Sequence, residues 1–214
     1  MTSKIGRPKG DQQDTRQALI DAARESFSRY GYRKISTRHI AQQAGVDAAM
    51  IRYYFGSKAN LFEAMVKDTL SPILNLFRQR HHNAEDLTPL TLMQTYYRMM
   101  SANPSLPRLI QEIFNHHDSG DAFSILANIF DEVLLRSQHW AQQLRQQHKV
   151  NPALNPEWIR LSLLSLMIFP LLAPKYIQQG LGIELSQDWL LQLAEHNHAL
   201  LQHGLFNPQE EEDQ

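Results

Sequence analysis

The residues best suited to chemistry in this chain are the basic and aromatic side chains between positions 37 and 58. Lysine, arginine and hydroxyl side chains bind phosphate oxygens, and an arginine also forms paired hydrogen bonds with O6 and N7 of guanine. Small apolar side chains can approach the methyl group of thymine. Nine residues are therefore candidate contacts to DNA: Thr37, Arg38, Ala48, Ala49, Met50, Arg52, Tyr53, Tyr54 and Lys58.

These candidates divide by the kind of contact that they can make. Thr37, Arg38, Tyr54 and Lys58 suit phosphates, which fix the register of a protein on the duplex without reading sequence. Arg52 suits a guanine or, equally, a phosphate. Tyr54 also falls on an apolar side of its predicted helix, which leaves a partly buried structural role open.

Two short helices joined by a tight turn must position these side chains. Ser36 is a candidate N-cap of the first helix, and Gly45 ends that helix because glycine adopts the left-handed conformation at little cost. Asp47 can cap the second helix, which Gly56 closes. The small Ala41 would let the two helices cross closely. The pattern favours a helix-turn-helix over its alternative, a helical hairpin inside an all-α interaction protein.

The run I-A-Q-Q-A-G-V followed by I-R-Y-Y-F-G-S-K-A-N-L, within residues 37–61, resembles the DNA-binding signature of the TetR family of bacterial transcription regulators. The resemblance covers residues 13–65. It implies an all-helical homodimer with an N-terminal three-helix DNA-binding domain and a C-terminal domain that dimerises and binds a small effector. Two positions depart from the family pattern. Arg52 replaces a tyrosine or an uncharged residue, and Asn60 replaces a glutamate that would complete a capping box with Ser57.

The charge distribution agrees with a DNA-binding N-terminal end. Residues 1–60 contain 11 Lys and Arg against 5 Asp and Glu, whereas residues 61–214 contain 10 against 17. The net charge of the whole chain, -1, hides this asymmetry. A basic end attracts phosphates, and an acidic body does not.

Composition limits the remaining classes. The chain has 214 residues, 43% of them hydrophobic, and it has no cysteine, so disulfides and thiolate metal sites are excluded. The longest apolar run, residues 161–174, is shorter than the roughly 20 residues of a membrane span. Polar residues follow the first lysines, which argues against a signal peptide. We expect a cytoplasmic protein with no membrane partner.

Helical periodicity continues to the end of the chain, so the predicted fold is all-α. We assign residues 1–12 to a disordered basic arm, 13–58 to the helix-turn-helix domain, 59–207 to an effector-binding and dimerisation domain, and 208–214 to an acidic tail. Helices are predicted at 15–30, 57–80, 88–102, up to 116, 122–147, 158–176 and 187–203. Pro72, Pro170 and Pro174 are expected to bend or break their helices.

The segment 158–176 is apolar on nearly all sides, and such a helix must be covered on all sides. A second copy of the chain is the simplest cover. We therefore predict a homodimer in which this segment and the final helix pair with their copies in a four-helix interface about a two-fold axis. The final helix would contribute Trp189, Leu190, Leu193, Leu200 and Leu201. The dimer would place two reading helices in successive major grooves of a palindromic operator.

The C-terminal domain is expected to hold a small, largely apolar effector. Its candidate lining residues are bulky and partly flexible; each one alone is better explained as core, but as a set they favour a pocket: Met93, Tyr96, Tyr97, Met100, Phe114, Phe123, Phe130 and Met167. By analogy with the family, DNA binding would repress transcription and the effector would relieve it, with the fourth helix as the lever. A dimeric regulator without an effector is the alternative.

No pattern of catalytic residues points to an enzyme, and no cofactor is expected. Two Glu/His pairs have helical spacing, Glu112 with His116 and Glu195 with His198. A di-iron site needs two Glu-x-x-His motifs and further glutamates, so one motif is insufficient. We predict no metal site, and a metal-sensing body remains a minor alternative because nine of the ten histidines follow residue 80.

Overall fold

The computed structural model describes residues 9–79, 87–115, 120–146, 150–151 and 153–204. Every element in these residues is an α-helix, which confirms the predicted all-α fold. The helices are α1 (Lys9–Tyr30), α2 (Thr37–Gln43), α3 (Ala49–Phe55), α4 (Lys58–Gln79), α5 (Pro89–Ala102), α6 (Leu106–Asn115), α7 (Asp121–Gln146), α8 (Pro156–Leu172), α9 (Lys175–Gly180) and α10 (Gln187–Gly204).

Side-chain caps fix several helix starts where the sequence predicts them. The Ser36 hydroxyl accepts a hydrogen bond from the backbone N–H of His39 at the start of α2. Thr88 caps α5 through the N–H of Thr91, and the Asn155 side chain caps α8. Each cap satisfies an amide that has no partner inside its helix. The polar residue before each apolar repeat is therefore a reliable start signal in this chain.

Two helix boundaries differ from the predictions. α1 begins at Lys9, six residues before the predicted start and inside the predicted arm, whose residues 1–8 lie outside the described part. The apolar repeat begins only at Ala18, so periodicity gave no signal for the polar first turns. α9 was not predicted, because the chain between Pro174 and Gly182 is short and has no apolar stripe. The acidic tail, 208–214, also lies outside the described residues.

Of the two prolines in the predicted segment 158–176, Pro174 separates α8 from α9, as predicted, whereas Pro170 acts differently. Pro170 lies inside α8 without ending it, and α8 ends at Leu172, before Pro174. A proline has no N–H, so Pro170 leaves the carbonyl of Leu166 without its helical donor. The hydroxyl of Tyr97 donates a hydrogen bond to that carbonyl at 3.0 Å. Pro174 has no N–H to donate to the carbonyl of Pro170. That carbonyl instead accepts a hydrogen bond from the side chain of Gln178 at 3.2 Å.

By contacts, the chain divides into two compact units. The first contains Met1–Thr69 and Arg108–Asn128, and the second contains Leu70–Pro107 and Ile129–Gln214. α4, α6 and α7 contribute residues to both units. This division by packing differs from the predicted division by function, which therefore stays a prediction.

The core of the first unit joins α1 to the two short helices and to the start of α4. Phe27 and Phe62 are fully buried and pack edge to face, with ring centroids 5.4 Å apart. Arg24 of α1 links to α4 through Asp68 and through the hydroxyl of Thr69, at 2.5 and 3.1 Å. α2 and α3 are thereby held on a rigid support.

In the second unit, α5 packs between α10 and α8. Tyr97 and Met93 of α5 are fully buried, as are Leu190 and Ala194 of α10. The indole N–H of Trp140 in α7 donates to the carbonyl of Leu87 just before α5, at 3.0 Å. The buried indole of Trp140 thus finds a partner, whereas Arg160 Nε and His198 Nδ1 are buried without one among the described residues.

Candidate nucleic-acid interface

The turn between α2 and α3 has the geometry that the sequence predicts. Gly45 has φ +68°, and the N–H of Val46 donates to the carbonyl of Ala41 at 3.0 Å, which closes the end of α2. The Asp47 carboxylate accepts from the N–H of Ala49 at 2.7 Å. Gly56, at φ +77°, ends α3. Ala41 and Ile51 are buried at the contact between the two helices.

α3 buries one side and exposes the other. Ile51 and Phe55 are buried against the support helices, whereas Arg52 and Tyr53 are exposed, Tyr53 by 68%. Ala48 and Ala49 are also exposed, and Met50 is half-buried. The exposed side therefore carries small residues at its start and a cationic and an aromatic residue after them, as a groove-facing helix needs.

Several arginines of the chain are used internally, but two near α3 are not. Arg24, Arg136 and Arg160 form ion pairs with carboxylates. Within the part of the chain that the structure describes, no hydrogen bond or ion pair engages the guanidinium groups of Arg38 or Arg52. Both side chains are exposed, and both can take an external partner.

Lys58 and Asn60 form the junction between α3 and α4. The N–H of Asn60 donates to the Ser57 hydroxyl at 3.1 Å, and the Asn60 side chain donates to the carbonyl of Phe55 at 2.8 Å. Asn60 therefore does not complete the capping box but ties the end of α3 to the first turn of α4. Lys58 opens α4, where amides without a helical partner favour a phosphate.

The other predicted contacts lie beside α3. Thr37 opens α2 and is half-buried, and Tyr54 is half-buried with its ring 4.9 Å from that of Tyr53. The structure thus leaves all nine candidate residues at least partly accessible. Whether they bind DNA is a proposal.

Sequence reasoning missed two supports of this surface. The guanidinium of Arg16 in α1 lies 5.1 Å from the ring centroid of Phe55, and the ammonium of Lys58 lies 4.5 Å from that of Tyr32. No spacing rule links these pairs, because they join residues far apart in the chain. Burial lowers the pKa of Lys58 below its ordinary value.

The eight predicted effector-lining residues do not fall into one unit. Phe114 and Phe123 belong to the first unit, with ring centroids 5.9 Å apart. Six belong to the second unit: Met93, Tyr96, Tyr97, Met100, Phe130 and Met167. Of these, Met93, Tyr97, Met100 and Met167 are buried. Burial raises the pKa of both Tyr96 and Tyr97, so both phenols stay neutral.

Part of the surface predicted to form the dimer interface is exposed in the single chain. On α8, Trp158, Leu161 and Phe169 expose 71%, 62% and 53% of their surface. Leu200 of α10 is exposed as well. The inclusion of Leu190 was wrong, because α5 packs against α10 and Leu190 is fully buried within the chain.

The described residues hold neither a metal-binding cluster nor a membrane-spanning helix. In that part of the chain, no group of three or more His, Asp or Glu side chains could hold a metal ion. His116 of the first Glu/His pair lies outside it. None of its helices is long and apolar enough to cross a membrane.

The helix-turn-helix region of the chain matches a known protein family. Residues 19–65 match the family described as bacterial regulatory proteins, tetR family. The HTH-type transcriptional regulator BetI 2 of Chromohalobacter salexigens is 35% identical over 74 residues, which cover 35% of this chain and 36% of that protein. The match thus spans about a third of that relative's length.

Solved structures resemble nearly the whole chain in fold. The fatty acid degradation regulator FadR from Bacillus halodurans superposes with a TM-score of 0.68 at 16% identity, covering 88% of this chain and 98% of that chain. FadR from Bacillus subtilis, solved in complex with stearoyl-CoA, gives a TM-score of 0.66 at 16% identity over the same shares. At this identity, the likeness concerns the fold.

The fold and the exposed side of α3 define an all-helical protein of the helix-turn-helix class. The match over residues 19–65 confirms the resemblance that the motif indicates. Residues 19–65, toward the N-terminal end of the chain, are thus similar to the helix-turn-helix domain of the TetR family.

Proposed function

We propose that the protein is a transcriptional regulator that binds a palindromic operator as a homodimer. The observation that carries this proposal is the exposed side of α3, where Arg52 has no partner among the described residues and Tyr53 is 68% exposed. A rigid helix with such a side suits the major groove, in which base edges present distinct hydrogen-bond patterns. The relative BetI 2 is itself an HTH-type transcriptional regulator.

Dimerisation is part of the proposal because one α3 offers few base contacts. The apolar surface formed by Trp158, Leu161 and Phe169 on α8 supports it. These residues lie on one side of α8, with the exposed Ser165 between Leu161 and Phe169, and large apolar side chains exposed together on one side of a helix favour a protein interface. A two-fold axis through this patch would give two copies of α3 for two half-sites.

We propose further that binding represses transcription and that a small, largely apolar effector releases the DNA. Buried aromatic and methionine residues of the second unit support an apolar ligand, and FadR from Bacillus subtilis is solved with stearoyl-CoA. An effector acts only if it prefers one of two conformations. α4 and α7 contribute residues to both units, so either helix can carry such a preference.

The test of DNA binding is selection of duplexes from a random library by the purified full chain, followed by sequencing. We expect an inverted repeat to be enriched. The selection is repeated with Arg52→Ala, which should weaken binding to the selected site by about 1–3 kcal/mol if Arg52 contacts a base. No enrichment over non-specific binding by the unaltered chain would contradict the proposal.

A matched control separates a local contact from loss of charge. Lys67 is an exposed cation on α4 that forms an ion pair with Glu63. Lys67→Gln removes one positive charge but no predicted DNA contact, so we expect a selected motif and an affinity close to those of the unaltered chain. An equal loss for both variants would mean that Arg52 acts only through net charge.

The effector is tested on the operator complex. Stearoyl-CoA is added to the complex, and release is followed by fluorescence anisotropy of the labelled duplex. We expect saturable release, with no change when free coenzyme A replaces it. If stearoyl-CoA bound the protein but operator affinity stayed the same, the proposed coupling would fail.

A further inference from the structure

The ring of Tyr32 makes a cation–π contact with the ammonium group of Lys58. Tyr32 lies in the loop between α1 and α2, and the ammonium nitrogen of Lys58 is 4.5 Å from its ring centroid and 6.0 Å from that of Phe27. The Tyr32 ring itself packs against Phe62 and Phe27, with centroids 4.9 and 5.4 Å apart. Phe27 and Phe62 are fully buried, so the Tyr32 ring packs on the core of the first unit.

A lysine side chain is flexible, and holding it in one position costs conformational entropy. The face of an aromatic ring attracts a cation, which offsets part of that cost and part of the loss of hydration. Partial burial of Lys58 lowers its pKa, consistent with an ammonium that has lost some water. An ammonium has three N–H donors, so contact with a ring face leaves donors available for a phosphate.

The loop that carries Tyr32 is held on more than one side within the first unit. Gly31 has φ +80°, and the carboxylate oxygens of Glu112 in α6 lie 3.6 and 3.8 Å from the position that a Cβ would take there. Burial, and then the charge of Asp121 at the start of α7, raise the pKa of Tyr32. The ring of Tyr32 is therefore packed against Phe27 of α1 and Phe62 of α4, and its neighbour Gly31 lies beside Glu112 of α6.

We propose that Tyr32 is a positioning residue for the DNA contact of Lys58: its ring holds the ammonium at the first turn of α4, where a phosphate binds. Tyr32 contacts no DNA in this account and acts only through Lys58. The inference rests on the proposed function, since it explains how one phosphate contact is kept in place.

The first test needs no DNA. A proton above an aromatic ring resonates upfield, so the ε-methylene protons of Lys58 report the contact in a proton–carbon spectrum, assigned through their loss in Lys58→Arg. We expect the upfield shift to persist in Tyr32→Phe, which keeps the ring, and to be largely lost in Tyr32→Leu. An unchanged shift in Tyr32→Leu would overturn the proposal.

The second test is a double-mutant cycle on a duplex that the unaltered chain selects. We expect Tyr32→Leu to weaken binding roughly three- to tenfold, and Tyr32→Phe less than about twofold. Lys58→Gln should weaken binding and reduce the slope of log affinity against log salt by about 0.9, the value for one phosphate. In the Lys58→Gln background, Tyr32→Leu should have no further effect. An equal effect of Tyr32→Leu in both backgrounds would show a purely structural role and overturn the proposal.

A shape-conserving variant guards against a folding defect in Tyr32→Leu. Pentafluorophenylalanine introduced at position 32 keeps the ring but makes its face repel cations. It should weaken binding as Tyr32→Leu does, with an unchanged circular dichroism spectrum, and binding equal to that of Tyr32→Phe would overturn the proposal. If the unaltered chain selects no duplex, the proposed function fails and this inference with it. If it selects a duplex but the cycle shows no coupling, this inference alone fails.

Discussion

At the scale of single residues, partners separate structural side chains from those available to a ligand. Arg24 and Arg160 are each held by a carboxylate and by a further hydrogen bond, so their charges are used within the chain. Arg52 belongs to the same residue type but is exposed on α3. The sequence predicted Arg52 as a contact because an arginine lies on the second helix of the motif. Arg24 and Arg160 each pair with a carboxylate three residues away, a spacing that the sequence shows. Their further contacts across 44 and 26 residues leave no local pattern.

Tyr97 replaces a backbone hydrogen bond that Pro170 removes from α8. Its hydroxyl donates a hydrogen bond to the Leu166 carbonyl, which Pro170 leaves without a helical donor. We expect Tyr97→Phe to lower the free energy of unfolding by about 0.5–1.5 kcal/mol, because a part-buried carbonyl loses its hydrogen bond. Urea denaturation followed by circular dichroism measures the change.

Tyr96→Phe is the matched control for that prediction, since Tyr96 is the neighbouring residue on α5 and no hydrogen bond of its hydroxyl is found among the described residues. We expect a smaller loss than for Tyr97→Phe. Equal losses would mean that the bond to Leu166 contributes little.

Alkaline pH should lower the free energy of unfolding through ionisation of Tyr97. Burial raises the pKa of Tyr97 above the ordinary 10.0, so the folded state keeps the proton that the unfolded state releases. The resulting stability is present below pH 10 and is lost as pH rises above it. Unfolding free energies measured from pH 8 to 11 should fall less steeply for Tyr97→Phe than for the unaltered chain, and parallel curves would argue against this origin.

At the scale of elements, local sequence located the helices that begin with a cap or end at a glycine. α2, α3 and α5 have such signals, and their ends agree with the predictions within two residues, whereas α8 begins within two residues of its predicted start but ends four residues early. The start of α1 and the whole of α9 lack them. Pro170 was expected to interrupt its helix, but side chains from elsewhere in the fold compensate for the lost backbone bond. Tertiary contacts of this kind cannot be read from local spacing.

Gly45 tests the turn between α2 and α3. It has φ +68°, and a Cβ there would meet no atom within 4 Å, so substitution causes backbone strain without a clash. We expect Gly45→Ala to destabilise the fold by about 1 kcal/mol. Thermal unfolding measures it, with operator affinity as a second readout because the turn sets the angle of α3.

Gly180 offers the control, since it also has open space around a Cβ but lies in α9 without a positive φ. Gly180→Ala should leave stability unchanged or raise it by about 0.4–1 kcal/mol, because alanine reduces the entropy of the unfolded chain. If both variants lost the same stability, strain at Gly45 would not be the cause.

At the scale of the whole molecule, the sequence predicted the all-α class and the TetR resemblance, but not which segments pack together. Residues 108–128 join the first unit although they follow it by some forty positions. Phe114 and Phe123 therefore pack with a different unit from the other predicted effector-lining residues. Periodicity shows that a helix has an apolar side but does not identify what covers it.

The exposed side of α8 makes a prediction about assembly. Leu161→Glu places a charge in the middle of the proposed interface, at a residue that is 62% exposed in the single chain. We expect folding of the single chain to change by less than about 0.5 kcal/mol, while the dimer dissociates. Sedimentation equilibrium at micromolar protein gives the mass.

Tyr53→Ser serves as control, because Tyr53 is exposed to a similar extent, 68%, but lies on α3. It should stay dimeric while losing DNA affinity. A monomeric mass for the unaltered chain, or a dimeric mass for Leu161→Glu, would exclude the proposed interface.

The most direct measurement of the central claim is methylation protection of guanine N7 on a duplex that the protein selects. N7 lies in the major groove, so protection reports where α3 enters. We predict two protected clusters, symmetric about the centre of the site and on one face of the duplex, with centres about 34 Å or a multiple of that apart. Tyr53→Ser should weaken both clusters together. Strong binding with no protection of N7, or with one unsymmetric cluster, would contradict the account of a dimer that reads DNA through α3.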